Sequence, residues 1–336
     1  MENIAVVVLT YNRGKLLEKN ILQYIDLLGN VSLYVLDNHS LPENSYFGVE
    51  EICSCHDNLH YYRHSVNLQF HGNLIRGFEI PKEDYIVLLS DEDFLCPGWY
   101  EDFHQIVSKY PNLLAARPSI LGESGESFYG RWDSHIFLPR EGIAIFGIEG
   151  NYISGQLYNR KRIISLGILD RLKVNLKKNL AYPHLYLNVL SASHGICAFS
   201  DVPWVRMGPS QVVESDDGIC HHDPTDYGGA LGFGARLDQM IGLRDALIEA
   251  YGGEVTSENA TEFYTAYVAL CNKYARLIIQ VNGPNYHRNS LNLQRLSRAF
   301  LDFCMAAIEN LPGNTELFEK VEEIILREVE ARMVRI

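Results

Sequence analysis

Three short runs near the start of the chain, Ile4–Leu9, Val31–Leu36 and Tyr85–Leu89, are apolar apart from Ser32 and dominated by aliphatic side chains. A half-exposed strand alternates polar and apolar positions, whereas a continuous run suits a strand buried on both faces, as in a parallel sheet covered by helices. The intervening segments have helical spacing. Leu16, Leu17, Ile21, Tyr24, Ile25 and Leu28 recur at helical intervals, and Gly29-Asn30 supplies a stop. Asn58–Arg63 reads as another strand and Asn67–Phe78 as another helix, after which Pro81–Asp84 turns the chain into Tyr85. This βαβ…βαβ order predicts an α/β domain.

Beyond Pro97 the pattern predicts a helix at Trp99–Tyr110, a strand at Leu113–Arg117 and a polar loop at Gly122–Gly130. Further strands are expected within Gly142–Ser154 and at Leu157–Asn159, with a helix from Arg160. After about Ala235 the Gly-rich turns give way to long helical-period runs at Leu237–Tyr251, Glu258–Val281, Ser290–Asn310 and Thr315–Val334. The expected division is an α/β domain over 1–235 and a helical region over 236–336. In the last helix Phe318, Val321, Ile324, Ile325, Val329 and Met333 form a stripe suited to covering a core or pairing with a second copy of the chain. Arg327, Arg332 and Arg335 also allow peripheral membrane contact, although the interspersed Glu residues favour packing.

A net charge of −13 leaves no basic field for a polyanion, so nucleic acid is not an expected partner. The N-terminus lacks the basic and apolar regions of a signal peptide, and no apolar run reaches the roughly 18 residues of a membrane span; a cytoplasmic protein is expected. Its seven cysteines have no framework spacing and are expected as thiols. Cys53-Ser54-Cys55-His56 has no second cysteine pair to complete a zinc site.

The chemistry concentrates at strand ends. Ser90-Asp91-Glu92-Asp93 follows Tyr85–Leu89 directly, and no cationic residue lies beside these acids in the sequence. Carboxylates crowded there repel one another unless a hard divalent cation, magnesium or manganese, is shared with phosphate oxygens of a substrate. The plainer alternative is an acidic helix cap. Asp37-Asn38-His39-Ser40 ends the second strand and Thr10-Tyr11-Asn12-Arg13 the first, so three strands open onto one polar rim. Ligands of open α/β sheets bind at such carboxyl ends, which makes Asp37 a candidate reader of a base or ribose. An Asx turn would explain DNHS equally well.

Taken as an ordered set, VVVLTYNR, YVLDNHS, the Asn67–Asn73 segment and IVLLSDED resemble family-two glycosyltransferases of the GT-A fold, over about residues 4–100. The resemblance implies a nucleotide-binding mixed sheet with a helical C-terminal region and a nucleoside-diphosphate sugar as donor. Thr10, Tyr11, Asn12 and Arg13 would line base and ribose, Asp37 would bond the base, and Asn67 and Asn73 would sit near the nucleotide. Ser90 and Asp91 would meet the donor's diphosphate, and Asp91 and Asp93 the metal, with Glu92 an intervening position. Tyr152–Arg160 is similar to the family's donor-sugar turn, placing Ser154 and Gly155 there; a Ser-Gly turn permits close backbone approach.

The family's Glu-Asp base pair is replaced here by Leu180-Ala181-Tyr182-Pro183-His184-Leu185, similar to abequosyltransferase-like enzymes of bacterial surface polysaccharide synthesis. His184 can titrate near neutrality and is the candidate base, with a core or orienting role as its alternative. Glu214–Gly218 and Cys220–Asp223 form a second acidic, His-containing stretch, from which Asp217 is a candidate for catalysis and His222 for the metal; a solvated loop would read the same way. Gly228–Gly234 has no strand feeding it and is not a dinucleotide loop. The N-x-S/T matches at Asn30, Asn38 and Asn259 carry no meaning in a cytoplasmic chain.

Three functions compete. The first is metal-dependent, inverting transfer of a sugar to a hydroxyl of a glycan or lipid-linked acceptor. The second is a non-catalytic nucleotide- or sugar-binding module of a polysaccharide assembly complex. The third, a sugar nucleotidyltransferase, would need a Gly-rich basic phosphate loop where this chain has Thr-Tyr-Asn-Arg-Gly.

Overall fold

The computed structural model describes residues 3–129, 135–150, 152–209, 233–286, 290–312 and 315–333. The α/β part runs β1 (Ile4–Thr10), α1 (Gly14–Tyr24), β2 (Ser32–Asp37), α2 (Phe47–Ser54), β3 (Leu59–Arg63), α3 (Gln69–Glu79), β4 (Tyr85–Ser90) and β5 (Phe94–Leu95). It continues through α4 (Trp99–Lys109), β6 (Leu113–Leu121), β7 (Ser127–Tyr129), β8 (Ile136–Phe137), β9 (Leu157–Asn159), α5 (Arg160–Ser165) and α6 (Ile168–Val174). Then come α7 (Pro183–His194), β10 (Ile196–Arg206) and four long helices, α8 (Phe233–Ala250), α9 (Ala260–Tyr286), α10 (Ser290–Ala306) and α11 (Thr315–Met333).

The chain forms two compact units that interleave in sequence. One comprises Met1–Pro139, Asn151–Lys173 and His194–Val212; the other comprises Arg140–Gly150, Val174–Ser193 and Val213–Ile336. Whereas the sequence suggests a single cut at 235, the helical unit also takes in two earlier segments. Each carries a buried apolar set, Ile143, Phe146 and Ile148 in the first and Leu185, Leu187 and Leu190 in the second, of the kind a helix bundle needs.

The first unit is built on a mixed sheet of order β3-β2-β1-β4-β9-β6-β10-β5. β1, β2, β3 and β4 are mutually parallel, and β9 enters antiparallel between β4 and β6. Helices cover both faces, which explains the continuous apolar runs. Val6, Val8, Val35 and Val87 on one face are fully buried with Leu17 and Ile21 of α1. On the other face α3 comes so close that a Cβ on Gly77 would lie 3.3 Å from Val7 Cγ1. Each such aliphatic side chain contributes about 1.5–3 kcal/mol relative to exposure.

Chain order reverses at β1: β2 and β3 extend one way and β4 lies on the other side. Ligand crevices form at such a switch point. The pairing register brings Thr10 level with Asp37, Asp37 level with Arg63, and Leu9 level with Ser90, so the polar strand ends share one edge.

In the helical unit, Tyr274 donates to Gln239 Oε1 and Gln239 Nε2 donates to the Tyr182 carbonyl, each at 2.7 Å. The apolar stripe of α11 is used for packing: Val321, Ile324, Ile325 and Val329 are buried, and α11 contacts α9 and α10. No helix among the described residues is long and apolar enough to cross a membrane.

Several elements depart from expectation, among them the short strand β7, which lies within the stretch expected as a polar loop. Within Gly142–Ser154 the structure has a π-helical turn at Ile143–Gly147 instead of strand. Gly147 lies against the backbone of α7, where a Cβ would be 3.1 Å from Val189 Cα, so packing on a helix overrides local strand preference. Helix α2 falls in a stretch too short and too weakly periodic to stand out. The strand β10 is obscured by Asp201-Val202-Pro203, where its pairing with β6 shifts register.

Gly155 has φ +83°, and a Cβ there would be 2.9 Å from Pro118 Cγ and 3.1 Å from Val205 Cγ2. Gly155→Ala is expected to lose about 1–3 kcal/mol of stability. Urea denaturation checks this, and an unchanged midpoint would contradict it.

Candidate active site

The end of β1 is organised by Tyr46, a residue with no sequence signal of its own. Its hydroxyl lies 2.6 Å from Thr10 Oγ1 and accepts a 3.0 Å bond from the Arg13 backbone N–H. Thr10 spends its own proton on Asp91 Oδ2 at 2.8 Å, so Tyr46 is the donor toward Thr10. Burial pushes the Tyr46 hydroxyl up to about 12, keeping it protonated for that task. Asn12 takes a left-handed conformation, φ 57°, with its backbone N–H bonded to Ser40 Oγ at 2.7 Å and its Oδ1 accepting from the Leu41 N–H at 2.8 Å. Tyr11 is half-buried beside it. Helix α1 starts at Gly14, where a Cβ would sit 2.1 Å from the Ser45 carbonyl.

The acid turn after β4 has a cationic partner that the sequence hides. Arg13 Nη1 lies 3.0 Å from both Asp91 Oδ1 and Glu92 Oε2. Burial alone would lower the guanidinium pKa, but the two carboxylates more than offset it and hold Arg13 charged. Asp91 is 4% exposed, with its carbonyl further fixed by Asn20 Nδ2 at 2.9 Å. Asp93 is 2% exposed and accepts from Tyr152 at 2.7 Å, from Ser154 Oγ, and from the Gly208 N–H at 3.1 Å. Ser154 Oγ also accepts from the Ser90 N–H at 2.8 Å. Ser154 and Gly155 therefore meet the acid turn, Gly155 through its N–H on the Leu88 carbonyl. A Cβ at Gly208 would overlap the Glu92 carbonyl, at 1.7 Å. The buried aspartates face protein donors, while the Glu92 side chain is 29% exposed.

Desolvation raises all three carboxyls above their ordinary values. Arg13 and Thr10 oppose the shift at Asp91, Arg13 opposes it at Glu92, and Ser154, Tyr152 and Gly208 oppose it at Asp93.

Asp37 is 1% exposed. Its Oδ1 accepts from the Ser40 N–H at 2.9 Å, and its Oδ2 accepts from Tyr61 at 2.7 Å and lies 3.5 Å from Arg63 Nε. Beside it opens a cleft of about 240 Å³ whose lining includes Leu41, Tyr46, Phe47, Tyr61 and Arg63. Asn67 accepts from Asn38 Nδ2 at 2.9 Å and from the Gln69 N–H at 2.7 Å. Asn73 is buried between His64 Nε2 and the Leu36 carbonyl, bracing β2 against α3. His184 belongs to the helical unit, on α7, 1% exposed, its ring edge-on to Tyr182 with centroids 5.9 Å apart. Asp217 and His222 lie outside the described residues.

Residues 5–166 match the family model for glycosyl transferase family 2. This stretch holds the whole polar rim, the acid turn and the Ser154-Gly155 turn. This stretch is similar to family 2 glycosyltransferases. Across 99% of the chain the structure is similar to that of TarS 1–349 from S. aureus, with TM-score 0.60, 10% identity and 90% of that chain covered. The TarS complex with UDP gives TM-score 0.60 at 12% identity, and the complex with UDP-GlcNAc 0.58 at 11%. At this identity the likeness is one of fold, and the fold is GT-A. No curated protein matches the chain.

A divalent cation in such a domain takes one or two carboxylates, with phosphate oxygens and water completing the shell. Among the described residues no three His, Cys, Asp or Glu side chains converge on a common point. Glu92 is a hard carboxylate at the solvent edge that could meet a cation, while Asp91 and Asp93 are buried against protein donors.

A carboxyl with a raised folded-state pKa binds its proton more tightly in the fold than in the unfolded chain. The stability from that proton is present below the ordinary value of 3.8 and is lost as pH rises through the folded value. Asp93→Asn does not titrate, so its melting temperature relative to wild type is expected to climb as pH rises from 4 toward 7. A flat or falling difference in parallel thermal melts would contradict the raised Asp93.

Proposed function

We propose that this protein transfers a sugar from a nucleoside diphosphate, with a uridine nucleotide as the first donor class to test, to a hydroxyl of a glycan or lipid-linked acceptor in bacterial surface polysaccharide synthesis. The observation that carries the reading is the cluster of three acids at the topological switch point, with Arg13 3.0 Å from two of them and the Asp37 cleft on the same sheet edge. Fold likeness to TarS, whose complexes hold UDP and UDP-GlcNAc, supports the donor class. The similarity of Tyr182–Leu185 to surface-polysaccharide transferases supports the acceptor class.

In this reading the nucleoside lies over the rim between Thr10-Tyr11 and Asp37, with the exposed Phe47 as an apolar wall. Asp37 is held rigid by Ser40, Tyr61 and Arg63 and so presents a fixed acceptor edge. Glu92 would hold a manganese or magnesium ion, which supplies charge stabilisation for the departing diphosphate. Asp91 and Asp93 fix the turn that carries Glu92, and Ser154-Gly155 braces it from the sugar side. A backbone at Gly155 without a Cβ lets the turn close against Pro118 and Val205. His184 is read as a packing residue of the helical unit, because its burial leaves no approach for an acceptor hydroxyl.

Nucleotide sugars offered with manganese should raise the melting temperature for one base and show slow hydrolysis. Glu92→Gln is expected to weaken manganese-dependent donor affinity at least about tenfold and to lower kcat by about 10²–10³. Binding with neither hydrolysis nor transfer would replace this reading by a non-catalytic module. A panel without any thermal shift would overturn donor binding altogether.

A further inference from the structure

Arg13 makes two ion pairs of unequal character from one nitrogen. Nη1 has two N–H groups and spends them on Asp91 and Glu92, each at 3.0 Å. The Asp91 half is buried, with the carboxylate also held by Thr10, while the Glu92 half reaches solvent through a side chain 29% exposed. A buried pair is costly to break because it strands a charge, whereas an exposed one exchanges readily. Among the described residues Nε and Nη2 make no hydrogen bond, so the guanidinium keeps three N–H donors in the planar fork that suits phosphate.

We infer that Arg13 is a displaceable counter-ion: it neutralises Glu92 in the free protein and, pivoting on Asp91, turns to the donor's diphosphate when a divalent cation takes Glu92. This rests on the proposed donor and metal reading. Two positive charges on one carboxylate repel, so cation and guanidinium compete for Glu92. An incoming diphosphate resolves the competition, because it offers anionic oxygens to both. Metal affinity is therefore low without donor and rises with it, which keeps a bare cation from occupying the acid turn.

The test compares Asp91→Asn with Arg13→Gln/Asp91→Asn, a background that leaves no buried charge stranded when the guanidinium is removed. Manganese binding without nucleotide is followed by the free-ion electron paramagnetic resonance signal. Removing Arg13 is expected to tighten it about tenfold or more, and adding Glu92→Gln to abolish the gain. With saturating manganese, calorimetry with UDP is expected to give affinity about tenfold weaker once Arg13 is gone. Manganese affinity unmoved by loss of Arg13, a gain that survives Glu92→Gln, or UDP affinity unmoved by loss of Arg13 overturns the counter-ion role while the donor site stands. Wild-type protein that binds neither manganese nor UDP overturns both.

Discussion

The polar edge of the sheet depends on a carboxylate kept out of water. Asp91 stands at the end of β4 with its oxygens on Thr10 and Arg13 and its carbonyl on Asn20. Those three partners come from β1, from the loop after it and from α1, so one buried residue ties the first strand–helix unit to the fourth strand. Breaking a buried pair by removing one partner costs about 3–5 kcal/mol, much of it the stranded charge. Tyr46 adds the α2 approach to the same knot through Thr10 and the Arg13 backbone. The polar rim is consequently a set of side chains held in place by one another, which is what electrostatic preorganisation requires.

Much of this was legible in the residues. Strands buried on both faces announce themselves as unbroken aliphatic runs, and the polar tetrads that close them mark the carboxyl edge of a parallel sheet. The less visible parts fail for physical reasons. Arg13 and Asp91 are 78 positions apart, so their compensation appears only once β1 and β4 pair. Sequence adjacency alone made the acids look unopposed. Tyr46 sits in an irregular segment before a short helix, and Gly208 follows a strand interrupted by Pro203; neither position has a periodic neighbourhood to identify it. Ser154-Gly155, by contrast, stands out in the sequence as a small-residue turn, and the structure sets Ser154 against Ser90 and Asp93.

The choice among the three acids was hidden most deeply, because it depends on how the turn is anchored. At one end Asp91 is drawn inward by β1. At the other, Asp93 is drawn inward by Tyr152, Ser154 and the Gly208 amide, and Gly208 must lack a side chain to let the Glu92 carbonyl approach. A turn pinned inward at its first and third positions has to project its second. Glu92 is therefore the most exposed of the three acids, and in the proposed reading it is the one offered to a ligand, with Asp91 and Asp93 as its anchors.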